Sequence, residues 1–333
     1  MHTPPPLSDA QLTAVLATGW GVAADRIVHL PVGFGSHHWE VRAGAARWFL
    51  TVDDLVVRGR ANGEPTGAAA RRLRDALATA RELADAGLGF VVAPLRSLDG
   101  DVLVAIGARF AASLYPYVVG EPRDWGEYGS RAERMEVLER VVAVHDATST
   151  HARADDLTPP AIDELHAALD ALGTPWDGGP YGERARQLLR RHAVLVARLI
   201  ELHERFADAV RRRPERYVLT HGEPHPGNTI VTSRGVVLVD WDTVLVAPPE
   251  RDLWILAGDD AAVLDAYTAA TGRPVLPDAL TCYRVGWDLG EIACYVGELR
   301  DHHPDTEDTA ASWRNLRHYL DPRRPWGDLV RST

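Results

Sequence analysis

Lysine does not occur in this chain of 333 residues: all 36 of its basic residues are arginine. A GC-rich coding bias accounts for part of this, together with the abundance of alanine and aspartate, but the chemical consequence stands apart from its origin. Any role that needs an ammonium group must be filled by a guanidinium, whose planar, longer head requires a different starting point on the backbone. Cysteine is nearly absent too. Cys282 and Cys294 are the two in the chain, which excludes a disulfide framework and points to a reducing compartment. No apolar run reaches membrane-spanning length, and the opening MHTPPPLSD carries no apolar signal core. A cytoplasmic protein with no membrane partner is therefore expected. An excess of positive charge is missing as well, since 36 arginines face 47 acidic residues for a formal net charge of −11. That balance argues against non-specific binding to nucleic acid or anionic lipid, and it suits a cationic small molecule. No internal repeat, low-complexity segment or true linker interrupts the chain.

What is present is an ordinary globular composition, 46% hydrophobic and 25% charged, and length enough for one bilobed domain or two smaller ones. The most informative stretch is 217–256. It opens on a short apolar run, Tyr217-Val218-Leu219, the entry of a buried strand. The following His221-Gly222-Glu223-Pro224-His225-Pro226-Gly227-Asn228 is too rich in proline and glycine to be helical. Segments 229–231 and 236–239 then flank Thr232-Ser233-Arg234-Gly235 as a β-hairpin. The second strand runs into Asp240-Trp241-Asp242. A carboxylate at the end of an apolar strand, facing a loop that offers Asn228 and Glu223, suits a hard cation such as magnesium, which takes a few oxygen ligands and keeps water and phosphate on the rest.

The pattern His-x-Glu-x-His-x-x-Asn, then a hydrophobic residue before Asp240-x-Asp242, then Pro248-x-x-Arg251-Asp252-Leu253, resembles the aminoglycoside phosphotransferase family of kinase-like enzymes, with the spectinomycin phosphotransferases nearest. The resemblance covers most of the chain. It implies an α+β, bilobed protein-kinase-like fold, with an antiparallel nucleotide-binding lobe over 1–117 and a mainly helical lobe over 118–333 carrying the catalytic loop, metal and acceptor sites. Carried over by position, Asn228 and Asp240 are the magnesium ligands, Glu223 and His221 belong to the catalytic loop, and Asp252 braces that loop. Glu223 departs from the family, which has aspartate there.

The amino-terminal part reads as strand-rich. Ser8 and Gln11 form a capping box for a first helix. Strands at 26–32 and 37–43 flank Gly33-Phe34-Gly35-Ser36, either a turn that drapes Gly33, Gly35 and Ser36 over nucleotide phosphates or an ordinary hairpin turn. The third strand, 47–54, resembles the one that carries the family's ATP-binding lysine, and the lysine position falls on Thr51. An arginine must stand in, with Arg74 the first candidate, from a helix at 64–86, and Arg42 the second. Further strands are expected at 90–95, 102–106 and 109–115. Tyr115, Tyr117 and Val118 resemble the adenine-binding hinge, although aromatics beside Pro116 are also ordinary packing.

The remainder reads as helical. His145, on a helix at 131–148, is expected to be a satisfied histidine. The arginine-rich 183–213 is one helix or two with a solvated face, and His302-His303 with Asp305 and Glu307 form a mobile polar loop. On a late helix, Trp287, Asp288 and Glu291 fall at helical spacing, where with Asp242 they would suit an amine-bearing, sugar-like acceptor; an exposed amphipathic face is the alternative. The resulting expectation is an antibiotic-resistance type of kinase moving phosphate from magnesium-bound ATP or GTP to a small-molecule hydroxyl. Thr51 and Glu223 keep open a pseudokinase that only binds nucleotide or a partner, and the fold also admits a peptide serine or threonine as acceptor.

Overall fold

The computed structural model describes residues 3–33, 35–60, 63–321 and 323–324, so Phe34 of the glycine turn lies outside the described residues. Ser8 caps α1 (Asp9–Trp20) with the expected reciprocal Gln11 bonds, and Gly21 closes it in the left-handed conformation. A five-stranded antiparallel sheet follows, built from β1 (Arg26–Leu30), β2 (Ser36–Ala43), β3 (Ala46–Asp54), β4 (Val104–Ile106) and β5 (Phe110–Pro116), in the order β1-β2-β3-β5-β4. Strand alternation divides its side chains. Trp39, Val41, Leu50, Val52, Ala112 and Leu114 pack on Leu12, Val15 and Leu16 of α1. The opposite face carries His38, Thr51 and Ser113 in one cross-strand row, with Ser36, Asp53 and Ala111 in the next.

Two local expectations change. Segment 90–95 is not a strand; Val91 makes a single bridge to Leu238, and Pro94 removes a donor that a ladder would need. Between β3 and the long helix α3 (Thr66–Asp85) lies a short α2 (Leu55–Arg60). Two valines and a glycine hide it from propensity. It forms because the Asp54 carboxylate accepts from Val56 N at 3.0 Å and is itself held by Arg109, while Arg72 of α3 donates to the carbonyl of Arg58.

Downstream come β6 (Glu121–Pro122), α4 (Arg131–His145), α5 (Ile162–Asp170), α6 (Gly182–Arg211), β7 (Val218–Thr220), the hairpin β8 (Thr229–Thr232) and β9 (Gly235–Leu238), then β10 (Leu245–Ala247), α7 (Glu250–Ala257), α8 (Ala261–Thr271), α9 (Pro277–Arg300) and α10 (Glu307–Tyr319). The chain forms two compact units. One joins Met1–Gly59, Pro65–Asp155 and Pro214–Leu276, and so holds the sheet, the hairpin and the acidic loop; the other joins Arg60–Glu64, Asp156–Arg213 and Pro277–Thr333.

The second unit is a helical bundle. Leu165, Leu189, Val196, Leu199, Leu289, Ile292, Val296 and Leu316 form its core. The arginine-rich segment is a single helix, α6, and not all of its arginines are solvated: Arg186 is buried and bonds Glu183 and the carbonyl of Leu172. His303 is likewise no part of a loose loop. It is buried, accepts from Tyr181 N and bonds the carbonyl of Asp301, and its own backbone N–H donates to Gly178 O at 2.8 Å. Gly178 and Gly179 permit that close approach, because a Cβ on Gly178 would overlap the carbonyl oxygens of Arg300 and Asp301. Gly178→Ala should therefore lower stability by about 1–3 kcal/mol, the usual range for overpacking. Urea denaturation checks this, and an unchanged midpoint would show that the backbone at 178 gives way freely.

Candidate active site

The loop after β7 is shaped by one buried carboxylate. Asp252, in the first turn of α7, has no solvent exposure. Its oxygens accept from His221 N at 2.9 Å and from Gly222 N at 2.6 Å. The His145 ring donates to it at 3.0 Å from Nε2, and Nδ1 of that ring meets the Tyr267 hydroxyl at 2.9 Å. Burial would push the Asp252 carboxyl up, but His145, His221 and Arg251 outweigh it and hold the group below its ordinary value. Gly222 has φ +101°, and a side chain there would strike Arg251 and Thr243; glycine is required at this turn.

His221 is the next layer. Its Nε2 donates to Val239 O at 3.0 Å and its Nδ1 accepts from Glu223 N at 3.3 Å. Desolvation lowers its pKa against the pull of nearby acids, consistent with a neutral ring protonated on Nε2. Glu223 is thus pinned by its own N–H, and also by its carbonyl, which accepts from Asn228 Nδ2 at 3.0 Å. With that nitrogen so engaged, the Asn228 side-chain oxygen is the atom left for a cation. The Glu223 carboxylate lies 3.6 Å from His225 Nε2, and the His225 ring packs on Trp125 at 4.1 Å between centroids. His225 entered the sequence reading only as a position of the motif, with no role, and the Tyr128 hydroxyl that donates to Pro224 O was not singled out.

Asp240 and Asp242 stand at the end of the hairpin. Val239 N donates to Asn228 O at 3.0 Å, which ties this strand end to the loop. Asp240 adopts φ +64°, a left-handed conformation uncommon outside glycine, and Trp241 is buried between the two acids in sequence. Asp240 itself reaches solvent. Its carboxyl is nevertheless raised well above the ordinary value, by desolvation and by the charges of Asp242 and Glu223. The like charges push the same way as desolvation, so the upward direction holds even with water at hand. Asp240 and Asp242 thus lie close enough for each to act on the other's carboxyl. Such a pair, beside Asn228 and Glu223, has the donor chemistry of a magnesium site. Among the described residues no group of three or more His, Cys, Asp and Glu side chains has metal-holding geometry; here one donor is an amide.

Asp242 is held below its ordinary value despite burial, first by Arg58. Arg58 Nε donates to Asp53 at 2.7 Å, and its NH2 donates to Asp242 at 2.5 Å and to Ser36 Oγ at 3.1 Å. The sequence reading missed this residue. Thr51 lies where expected on β3, with Oγ1 3.2 Å from His38 Nδ1. Gly33 and Gly35 both take positive φ, as a tight turn demands, but the Ser36 hydroxyl donates to Asp53 at 2.6 Å. Arg74 and Arg42 do not approach these acids: Arg74 bonds Asp101 at 2.9 Å and Arg42 bonds Glu40. Tyr115 is near enough to Asp53, Asp240 and Asp242 for their charge to add to the desolvation that raises its pKa. Tyr117 is covered by Arg47 at 3.7 Å, and Val118 follows in coil.

Trp287, Asp288 and Glu291 belong to α9 in the second unit. Asp288 is buried and accepts a fork from Arg324 at 2.5 and 3.0 Å, so its charge already has a partner. Trp287 donates to the Tyr319 hydroxyl at 3.2 Å.

A five-stranded antiparallel sheet, a mainly helical remainder and an acid-bearing loop beside a D-x-D strand end define a kinase-like fold. Spectinomycin phosphotransferase, solved with ADP and spectinomycin, superposes with a TM-score of 0.73 at 16% identity, over 96% of each chain. Choline kinase LicA from Streptococcus pneumoniae gives 0.59 at 12% identity, over 94% of this chain and 98% of that one. In sequence, Protein StrN of Streptomyces griseus is 33% identical over 253 residues, 72% of this chain and 75% of StrN. The chain belongs to the phosphotransferase enzyme family, whose sequence model matches residues 27–285. No described helix is long and apolar enough to cross a membrane.

The clamp yields a stability prediction. Asp252→Ala strands two buried N–H groups and the His145 ring, and should cost about 3 kcal/mol or more. Because the folded carboxyl is depressed below 3.8, its contribution is present above that value and is lost as pH falls through the folded pKa. Urea midpoints of wild type and variant should differ strongly at neutral pH and converge in strong acid; a constant gap would show that charge plays no part.

Proposed function

We propose that this chain is a small-molecule O-phosphotransferase that moves the γ-phosphoryl group of magnesium-bound ATP or GTP to a hydroxyl of a cationic, sugar-like acceptor in the cytoplasm. The observation that carries this reading is the clamped loop: Asp252 turns the His221–Gly222 backbone, Asn228 bonds the Glu223 carbonyl beyond the turn, and the Asn228 carbonyl accepts from Val239 N, next to Asp240. In this reading residues 1–117 bind nucleotide, with Gly33, Gly35 and Ser36 at the phosphates and Tyr115, Tyr117 and Val118 at the base. Residues 118–333 provide the reaction and acceptor sites. An antibiotic as acceptor would make the enzyme a resistance factor.

The residues present fit magnesium. Asn228 and Asp240 would hold it, and the bound ion neutralises phosphate charge. The acceptor hydroxyl gives its proton to Glu223 as its oxygen bonds the γ-phosphorus; the bond from that phosphorus to the bridging oxygen breaks, and the nucleoside diphosphate leaves. His221, neutral and fixed at both nitrogens, orients Glu223 and takes no proton. One observation favours a second reading, a nucleotide-binding module without transfer: the ion pair of Arg58 with Asp242 engages an acid the reaction would use.

Transfer to spectinomycin and related aminocyclitols, followed by release of ADP or GDP, tests the proposal. Glu223→Gln should lower kcat by about 10²–10⁴ while nucleotide still binds. Nucleotide binding without turnover in the wild type would favour the second reading. A further prediction concerns pH. Because the Asp240 carboxyl is raised, a metal must displace its proton, so Mn²⁺ should bind more tightly as pH rises and should release protons measurable in weakly buffered solution. Affinity independent of pH would remove Asp240 from the ligand set.

A further inference from the structure

Strand β3 offers no fixed positive charge at the Thr51 position. Thr51 is neutral, and its partner His38 is held neutral, pushed down to about 4, chiefly by burial. The charge nearby comes instead from α2. Arg58 emerges just past the end of β3, and its side chain, 16% exposed, runs between the sheet and the D-x-D acids. Its two ends have different surroundings. Nε and NH2 both lie 2.7 Å from the Asp53 carboxylate, whose side chain is 2% exposed, and NH2 alone also reaches Asp242, whose side chain is 17% exposed, and Ser36 at the close of the glycine turn. The backbone that launches Arg58 is fixed at both ends of α2, by Asp54 on Val56 N and by Arg72 on Arg58 O. Arg74 and Arg42 are engaged elsewhere.

We infer that Arg58 supplies the fixed positive charge for the nucleotide's phosphates, and that without ligand the same guanidinium occupies the Asp242 carboxylate in place of a divalent cation. The inference rests on the nucleotide reading above. A guanidinium can keep its Nε bond to Asp53 while its NH2 exchanges a carboxylate oxygen for a phosphate oxygen, because both groups present anionic oxygens to the same donors. That exchange releases Asp242 to a metal ion. Nucleotide phosphate and metal would therefore arrive together, with Asp53 as the pivot.

The two parts predict opposite signs for one substitution. In the full chain, Arg58→Ala should weaken ADP or GDP, titrated with EDTA, roughly tenfold or more, leave adenosine or guanosine unchanged, and tighten Mn²⁺ titrated without nucleotide. A merely structural role would weaken all three. Unchanged diphosphate affinity, or weaker Mn²⁺, overturns the inference while leaving the nucleotide reading intact. A wild type that binds neither the diphosphates nor the nucleosides overturns that reading itself, and the inference with it. Should Arg58→Ala fail to fold by circular dichroism, Arg58→Gln keeps polar donors without the charge, and the same titrations decide.

Discussion

A carboxylate with no access to water must have its acceptor capacity met by the protein around it, and Asp252 meets this by drawing in two consecutive backbone N–H groups and an imidazole. Consecutive N–H groups can converge on one carboxylate only if the chain turns sharply, which is why Gly222 takes a positive φ. That turn places His221 under the hairpin, where Val239 O accepts its Nε2 hydrogen bond, and so sets the direction in which Glu223 leaves the loop. Helix α4 contributes His145, α8 contributes Tyr267 and α7 contributes Asp252 itself. A displacement of any of these helices would be felt at Glu223 through hydrogen bonds.

Around this frame negative charge accumulates, and its compensation shapes the rest of the site. Asp53, Asp240, Asp242 and Glu223 are close enough to perturb one another or a common neighbour. In a chain without lysine the compensation must be guanidinium, and a guanidinium cannot simply replace an ammonium on the same strand. Its reach and planarity move its origin to α2, beyond the strand end, where a side-chain cap and Arg72 fix the backbone. Thr51 then becomes a neutral filler between His38 and Ser113.

The parts legible in the sequence were those governed by local rules. The Ser8–Gln11 box, the hairpin around Arg234 and the strand alternation of β2 and β3 each follow from turn chemistry or periodicity, and the loop and D-x-D motifs carried the family. What escaped notice depends on pairing across long separations. Arg58 meets Asp242 across 184 positions, His145 meets Asp252 across 107, and Arg324 covers Asp288 across 36; no spacing rule marks such partners. Arg74 looked eligible because an arginine on a helix carries no sign of which acid it will find. The run at 90–95 misled for the reverse reason, since its apolar pattern was right and a single proline, Pro94, decided the outcome.

Glu223 is the remaining departure from the family pattern, and the loop limits how its extra methylene can be accommodated. A backbone shift would be the simplest remedy, yet the backbone here is held on both sides, by His221 at the N–H and by Asn228 at the carbonyl. The added length must therefore appear in the side chain, which carries the carboxylate outward until it faces His225. His225 is itself fixed by Trp125 on one side and by the tight approach of Gly227 on the other. In the proposed reaction the base thus stands farther from the loop than an aspartate would. An acceptor hydroxyl must meet it there, because an error of about 1 Å in such an approach costs around a hundredfold in rate. In that reaction the longer acid would change where an acceptor has to stand.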